Sequence, residues 1–221
     1  MNRSFSILHQ RVLQKYDFSQ LKANLKAELK THQITPHYRD WFRFGNYCNV
    51  MDLKVLILGQ DPYPGENAAD GLAFSTRQAE RPKSLDNIFK VIKSSYPTAT
   101  FTTNSLESWA QQGVLLLNTC LTSRVNAPLS HHNLGWHEYV GALIVEILHH
   151  KPDLICVCLG NAAMEFWNKY VWPYTKKDVL FASHPSPLGW DKGKRPFKTS
   201  QIFKEINDLL GPGKKIDFST R

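Results

Sequence analysis

The chain has 221 residues, 42% of them hydrophobic and 12% aromatic, with a formal net charge of +8 and a pI near 9.3. That length supports one sizeable core, and the composition excludes wholesale disorder. No apolar run approaches the ~18 residues of a membrane span, and no signal-peptide core opens the chain, so one soluble domain over 1–221, cytoplasmic or nuclear and away from membranes, is expected. The basic excess favours a polyanionic partner such as nucleic acid. It concentrates late, in Lys192, Lys194, Arg195 and Lys198 and then Lys204, Lys214 and Lys215.

Residues 19–33 carry Leu21, Leu25 and Leu29 four apart with lysines between them, which predicts an amphipathic helix opened by a Ser19 cap. A strand follows at 53–58, where Val55-Leu56-Ile57-Leu58 is an apolar run too short for a helix. Gly59 stops it, and Gln60-Asp61-Pro62-Tyr63 come next. A loop rich in Gly, Pro and Asn runs to Pro82, and Ser84-Leu85-Asp86-Asn87-Ile88-Phe89 opens a second helix. The second strand, 114–117, ends at Asn118 and leads into a polar loop containing Pro128 and His131. Helical spacing of Val140, Leu143, Ile144, Ile147 and Leu148 marks a helix over 136–150. A third strand at 154–159 ends at Gly160-Asn161, with a helix directly after it. The fourth, at 179–182, ends at Ser183-His184-Pro185-Ser186-Pro187-Leu188. A last helix covers 198–210, and the tail is expected to be frayed. Strands alternating with helices predict an α/β fold: a central four-stranded, mainly parallel sheet flanked by helices on both faces. There is no linker and no internal repeat.

Four cysteines raise the question of a zinc or iron–sulfur site. Cys156 and Cys158 lie two apart on one strand, Cys48 and Cys120 are distant, and no Cys-x-x-Cys occurs. Buried structural thiols fit this pattern better, and no metal site is expected. The pairs His131-His132 and His149-His150 lack the i,i+4 spacing of a helical metal site and read as surface or loop residues.

Ligands of open α/β sheets sit outside the carboxyl ends of the strands. By itself, Asp61-Pro62 is equally well a type I or II turn with Pro62 at its second position. The four predicted strands, however, end in Gln60-Asp61, Asn118, Gly160-Asn161 and His184. In a parallel sheet a carboxylate, two amides and an imidazole then converge on one edge.

The segments GQDPY (59–63), GLAFS (71–75), LLLN (115–118) and HPSPL (184–188) resemble the signature motifs of uracil-DNA glycosylases, in the main single-domain branch. RPKSLDNIF (81–89), LTSR and SHHNLGW (within 121–136) extend the likeness to about residues 50–205. The resemblance implies a monofunctional hydrolase that removes uracil from a flipped-out deoxyuridine, leaves an abasic site for base excision repair, and needs no metal or cofactor. It assigns His184, as a neutral imidazole, to the departing uracil anion at O2, assisted by backbone amides near Gln60 and Asp61. Asp61 stabilises the oxocarbenium-like sugar and orients water. Asn118 faces uracil N3–H and O4, Tyr63 stands against C5, and Phe74 stacks on the base, although Phe74 as simple core also fits.

For DNA, the same resemblance implies backbone contacts at Pro82, Lys83 and Ser84, at Gly160 and Asn161, and at Ser186. Leu188 acts as the wedge that fills the gap left by the flipped base, and Lys192, Lys194, Arg195 and Lys198 neutralise phosphates. The partners implied are uracil-containing DNA, single- or double-stranded, and an acidic DNA-mimic inhibitor protein, with the enzyme a monomer. Three positions depart from the family pattern: Pro64 replaces a common histidine, Asn161 a serine, and the stretch after Leu188 (GWDKGKRPFK) an aromatic-rich run. Two competing readings are a relative with broader base choice, which Tyr63 and Asn118 oppose, and a DNA-binding accessory protein that has lost catalysis.

Overall fold

Branched apolar residues crowd the central strands because those strands are covered on both faces. The computed structural model describes residues 1–221. In chain order it contains α1 (Arg3–Lys15), α2 (Ser19–Thr31), β1 (Ile34–Thr35), β2 (Val55–Gly59), α3 (Lys83–Ser95), α4 (Glu107–Gln111), β3 (Val114–Asn118) and β4 (Ser123–Arg124). Then follow α5 (Trp136–His150), β5 (Ile155–Leu159), α6 (Asn161–Tyr170), α7 (Trp172–Thr175), β6 (Leu180–Ala182) and α8 (Ile202–Leu210). One sheet has the order β3-β2-β5-β6, and every neighbouring pair is parallel. All residues of β2 and β3 are buried. Helix α3 packs with α8, while α1, α5, α6 and α7 form a second group. A continuous cluster of 55 buried apolar residues joins sheet and helices, so the α/β expectation holds.

Register is what carries the strand ends to one edge. Gly59 stands opposite Asn118 across β2 and β3, and Leu159 opposite Ala182 across β5 and β6. The segments that begin at Gln60, Thr119, Gly160 and Ser183 therefore leave the sheet together. The short strands β1 and β4 pair antiparallel away from this sheet.

Several local expectations give way. Helix α1, unread in the sequence, buries Phe5, Leu8 and Val12 and is capped by the Asn2 side chain, which accepts the Phe5 N–H at 3.1 Å. Ser19 lies inside α2 and caps nothing; the Asp17 carboxylate accepts its N–H at 2.8 Å, and a negative charge also suits the helix dipole there. Leu21 and Leu25 are buried, but Leu29 is 52% exposed. A strict four-residue repeat drifts round a helix by about 40° per step and so leaves the buried face. The first sheet strand runs through Gly59, and α8 starts at Ile202 after a short 3-10 turn at Phe197–Thr199. Cys156 and Cys158 on β5 and Cys120 in the loop after β3 are buried free thiols, whereas Cys48 is free and only partly buried. No helix is long and apolar enough to cross a membrane.

The tail is docked, not frayed. Ile216, Phe218 and Thr220 are buried, and Thr220 both donates to Thr100 O (2.9 Å) and accepts from Thr102 N (3.2 Å). Gly211-Pro212-Gly213 breaks the helix, and the few apolar residues beyond it are too few to show a period. The Phe218 ring lies edge-on to Trp109 at 5.2 Å and near-perpendicular to Phe203 at 5.0 Å. Phe218→Ala should lower unfolding stability by about 3–5 kcal/mol, the usual cost of truncating a buried aromatic. Urea titration checks this, and an unchanged midpoint would show the docking to be energetically empty.

Candidate active site

The segments leaving the carboxyl edge of the sheet enclose a cavity of about 130 Å³. Gln60, Asp61, Pro62, Tyr63 and Pro64 line it from the loop after β2, with Leu72 and Phe74 from further along that loop. Ser84 in the first turn of α3, Asn118 at the end of β3 and His184 after β6 complete the wall. All six residues expected around a base are thus brought together, from three strand ends and one loop.

The floor depends on Gly59. A Cβ there would stand 2.5 Å from Asn118 Oδ1 and 3.1 Å from Phe74 Cε2. Asn118 is only 8% exposed, yet no side-chain hydrogen bond inside the chain engages its carboxamide. No fully buried side-chain polar atom of the protein lacks a partner, so this amide is reached through the cavity and keeps its donor and acceptor for what enters.

Phe74 adopts a left-handed backbone, φ 65°, a conformation that is uncommon for a bulky residue and held only by its surroundings. The Tyr63 hydroxyl donates to Phe74 O at 3.1 Å. Burial, with Asp70 nearby, pushes the Tyr63 phenol far above its ordinary range, so it remains a donor. Behind this loop, buried Asp70 accepts from Leu72 N (3.1 Å) and Ser75 Oγ (2.8 Å) and pairs with Arg43 at 2.8 Å. Arg43 also reaches Glu107 at 2.7 Å. The N-terminal 50 residues therefore help to shape the site.

Like the Tyr63 phenol, the Asp61 carboxyl and the His184 imidazole are pushed toward neutrality. Burial raises the Asp61 carboxyl above the usual carboxylate range, opposed by the Leu129 N–H, which donates to Oδ2 at 2.9 Å, and by nearby His132. Burial also pushes the His184 imidazole down to about 4. Its Nδ1 accepts the Ser186 N–H at 3.1 Å, which leaves the proton of the neutral ring on Nε2. His184 is wedged between glycines: a Cβ on Gly160 would lie 2.9 Å from its Cβ, and one on Gly189 would lie 2.4 Å from its carbonyl oxygen. Its loop is tied by Asn87 Nδ2 to Pro185 O (2.8 Å) and by Ser183 Oγ to Gly189 O (2.7 Å).

Around the mouth, Pro82 precedes the first turn of α3, and Lys83 is exposed there beside Ser84. Asn161 is exposed in the first turn of α6, behind the positive-φ Gly160. Leu188 is 88% exposed. The Ser186 N–H is already engaged by His184, which leaves its hydroxyl for other contacts. Lys192 and Lys194 are exposed, whereas Arg195 pairs with Glu205 at 2.9 Å and Lys198 with Asp191 at 3.1 Å.

Sequence reasoning missed the backbone N–H of Leu129, the tether from Asn87 and the glycine at 189. Asn87 and Gly189 sit in or beside recognised motifs, but a backbone donor leaves no side-chain signature. His131, expected as a surface or loop residue, lies in the loop before α5 but is fully buried, with Thr122 at 2.8 Å from Nδ1 and Glu28 at 3.3 Å from Nε2. A histidine buries readily when both nitrogens are bonded.

The family described as the Uracil DNA glycosylase superfamily matches residues 46–211. A uracil-DNA glycosylase of Mesomycoplasma hyopneumoniae is 40% identical over 202 residues, covering 91% of this chain and 90% of that protein. One of Amoebophilus asiaticus is 41% identical over 194 residues, covering 87% and 86%. Among solved structures, mimivirus uracil-DNA glycosylase superposes with a TM-score of 0.88 at 28% identity, covering 100% of this chain and 88% of that one. A variant of the mimivirus protein, in complex with UGI, matches with a TM-score of 0.87 at 28% identity, over 100% and 89%. With the convergent strand ends and with relatives of this similarity along most of its length, the chain belongs to the uracil-DNA glycosylase superfamily.

Proposed function

We propose that this protein, as one domain over 1–221, hydrolyses the bond between uracil N1 and sugar C1′ in DNA, acting on a flipped-out nucleotide and leaving an abasic site. One observation carries the reading: a carboxylate, a neutral imidazole and an uncommitted carboxamide line a single small cavity at the sheet edge. Breaking the bond develops negative charge on uracil and positive charge on the sugar, and each needs a prearranged partner. His184, with its proton on Nε2, donates to uracil O2, helped by backbone amides at Gln60 and Asp61. Asp61 faces the cationic sugar and orients the attacking water. Its burial costs less when a positive charge forms beside it, so its stabilising effect is greatest in the transition state.

Specificity follows from the remaining wall. Asn118 pairs with N3–H and O4, an edge that cytosine presents with reversed polarity, leaving polar groups unpaired. Tyr63 occupies the space that a thymine methyl group requires, and Phe74 stacks on the ring, a contact of ~1–3 kcal/mol. Extruding the nucleotide costs a few kcal/mol, offset by Leu188 filling the vacated stack and by contacts to the backbone. The backbone N–H groups of Lys83 and Ser84, in the turn that Pro82 opens, meet one phosphate at the start of α3. Gly160, Asn161 and Ser186 hold others, and Lys192 and Lys194 add salt-dependent attraction, with Arg195 contributing once it leaves Glu205. No lysine lines the cavity, which supports hydrolysis without Schiff-base lyase chemistry; the proposed reaction calls on no metal or cofactor. A basic mouth of this kind also suits an acidic protein that mimics DNA. The DNA is single- or double-stranded, and the enzyme acts as a monomer.

The primary test is an oligonucleotide bearing uracil beside matched ones bearing thymine or cytosine, incubated with EDTA and then alkali. Cleavage at uracil alone is expected; binding without cleavage would instead make this an accessory protein. Asp61→Asn and His184→Leu should each slow excision by roughly 100-fold or more, given ~3–4 kcal/mol per lost transition-state partner. Tyr63→Ala should admit thymine and Asn118→Asp cytosine, read in the same assay.

The pH dependence has a definite sign. Excision needs Asp61 ionised, so the rate should rise with pH through a carboxyl pKa above the ordinary range. His184 should add no step near 6.5, because it stays neutral until pH falls to about 4. Nitrogen-15 NMR should find the His184 ring neutral and protonated on Nε2 at pH 6; a titration centred near 6.5 would refute this.

A further inference from the structure

We infer that Glu28, on α2 and no part of the cavity wall, is a positioning residue that sets the geometry of Asp61 through the segment 122–131. The inference rests on the reading of Asp61 given above. Asp61 has one structural partner for Oδ2, the N–H of Leu129. Leu129 is poorly placed to hold itself: its side chain is 47% exposed and its backbone is left-handed, φ 63°, a state that a leucine adopts only under constraint. The constraint comes from both flanks, and both end on the same carboxylate. Upstream, Arg124 forks onto Glu28, with Nε at 2.6 Å from Oε2 and Nη2 at 2.7 Å from Oε1. Downstream, His131 Nε2 lies 3.3 Å from Glu28 Oε2.

The bonds have one consistent polarity. An indole N–H can only donate, so Trp136 Nε1 donates to Thr122 Oγ1 at 2.6 Å. The Thr122 hydroxyl proton then goes to His131 Nδ1 at 2.8 Å. His131 consequently carries its proton on Nε2 and donates to Glu28; the other tautomer would set a bare lone pair against a carboxylate. Glu28 is the sink of the network, and with the Arg124 hydrogen bonds as the main cause its carboxyl is held down at about 2. Ser130 closes the loop between the flanks, its Oγ accepting the Arg124 N–H at 2.8 Å and lying 3.1 Å from Ser123 Oγ. A glutamine at 28 sets an NH2 donor where one carboxylate oxygen accepts. It loses the Arg124 Nη2 bond and with it the fork or, flipped, both the Arg124 Nε and the His131 bonds, and the charge of the sink is gone in either case.

A role through Asp61 differs from a merely structural one in two readouts. Glu28→Gln should reduce kcat about tenfold with little change in KM, yet add less than about twofold in an Asp61→Asn background, because residues of one network are non-additive. In carbon-13 NMR, the Asp61 carboxyl should titrate at higher pH in Glu28→Gln than in wild type, since a loosened Leu129 N–H no longer favours the ionised form. The charged or titratable neighbours that bear on this comparison are His132 beside Asp61, and Arg124, His131 and His32 around Glu28. Should Glu28→Gln fail to fold, Arg124→Lys keeps the charge, removes the fork and enters the same cycle. Additive losses, or an Asp61 titration unmoved by the variant, would overturn the inference. The NMR arm needs no turnover: an inactive wild type would sink the proposed reaction, while an unmoved Asp61 would sink the network.

Discussion

Everything at the site depends on a side chain that is absent. The register of β2 against β3 sets position 59 beside Asn118, and a methyl group at 59 would meet the carboxamide oxygen at 2.5 Å. Only with glycine can Asn118 lie flat at the strand end while Phe74 closes over the same spot. The parallel sheet supplies the convergence, since strands running one way must release their loops at one edge. Gly59 supplies the room at that edge. A larger residue there would displace Asn118 or Phe74, or force the strands out of register, and each outcome dismantles the cavity.

Within that room the energetics are set by desolvation. Burial acts on Asp61 and His184 in opposite chemical senses, raising one and lowering the other, yet in both cases it disfavours charge. An ordinary protein interior would leave both neutral. Asp61 differs because backbone N–H groups, chiefly that of Leu129, and nearby His132 favour its charged form, whereas His184 is given a donor on Nδ1 that fixes which nitrogen can give a proton. The site thus holds a carboxylate that burial leaves under-solvated and an imidazole whose free proton lies on Nε2. In a low-dielectric cavity such fixed partners interact more strongly than they would in water, and they need no rearrangement as charge develops.

The sheet and the cavity wall were legible in the amino-acid sequence because their signals are concentrated. Val55 to Leu58 and Val114 to Leu117 are unbroken apolar runs, the first followed by Gly59 and then Gln60-Asp61, the second directly by Asn118. Asp61, Asn118 and His184 stand out for that reason. The supports were not legible, and the cause is physical. Arg43 and Asp70 are 27 positions apart and Glu28 and Arg124 are 96 apart, so neither pair leaves a local pattern. Helix α1 hides its buried stripe among polar residues, and the tail docks through too few apolar side chains to show a period. His131 reads as a surface or loop residue, and the loop is right; its burial is explained only by partners that the fold brings from α2 and from Thr122.

Pro64 shows how such distant supports absorb a local departure. Proline has no N–H to offer, so its coming after Asp61-Pro62-Tyr63 removes a donor and stiffens φ. Its carbonyl remains useful, accepting the Asn126 N–H at 2.7 Å. Asn126 belongs to the loop that carries Leu129, the loop whose flanks Glu28 holds. Strand β4 opens that loop and pairs with β1, from which Thr35 Oγ1 reaches Tyr63 O at 3.4 Å. The segment bearing Asp61 and Tyr63 is therefore fastened to the 123–131 loop at Asp61 and Pro64 and to β1 at Tyr63. A stiffer residue at 64 fits this frame, because a loop already pinned on both sides has little freedom left to lose. The architecture of the sheet edge is in this sense shared. The strand ends and the loops that follow them present the groups lining the cavity, and α2, β1 and β4, which contribute none of them, fasten the segments that hold the Asp61 carboxylate.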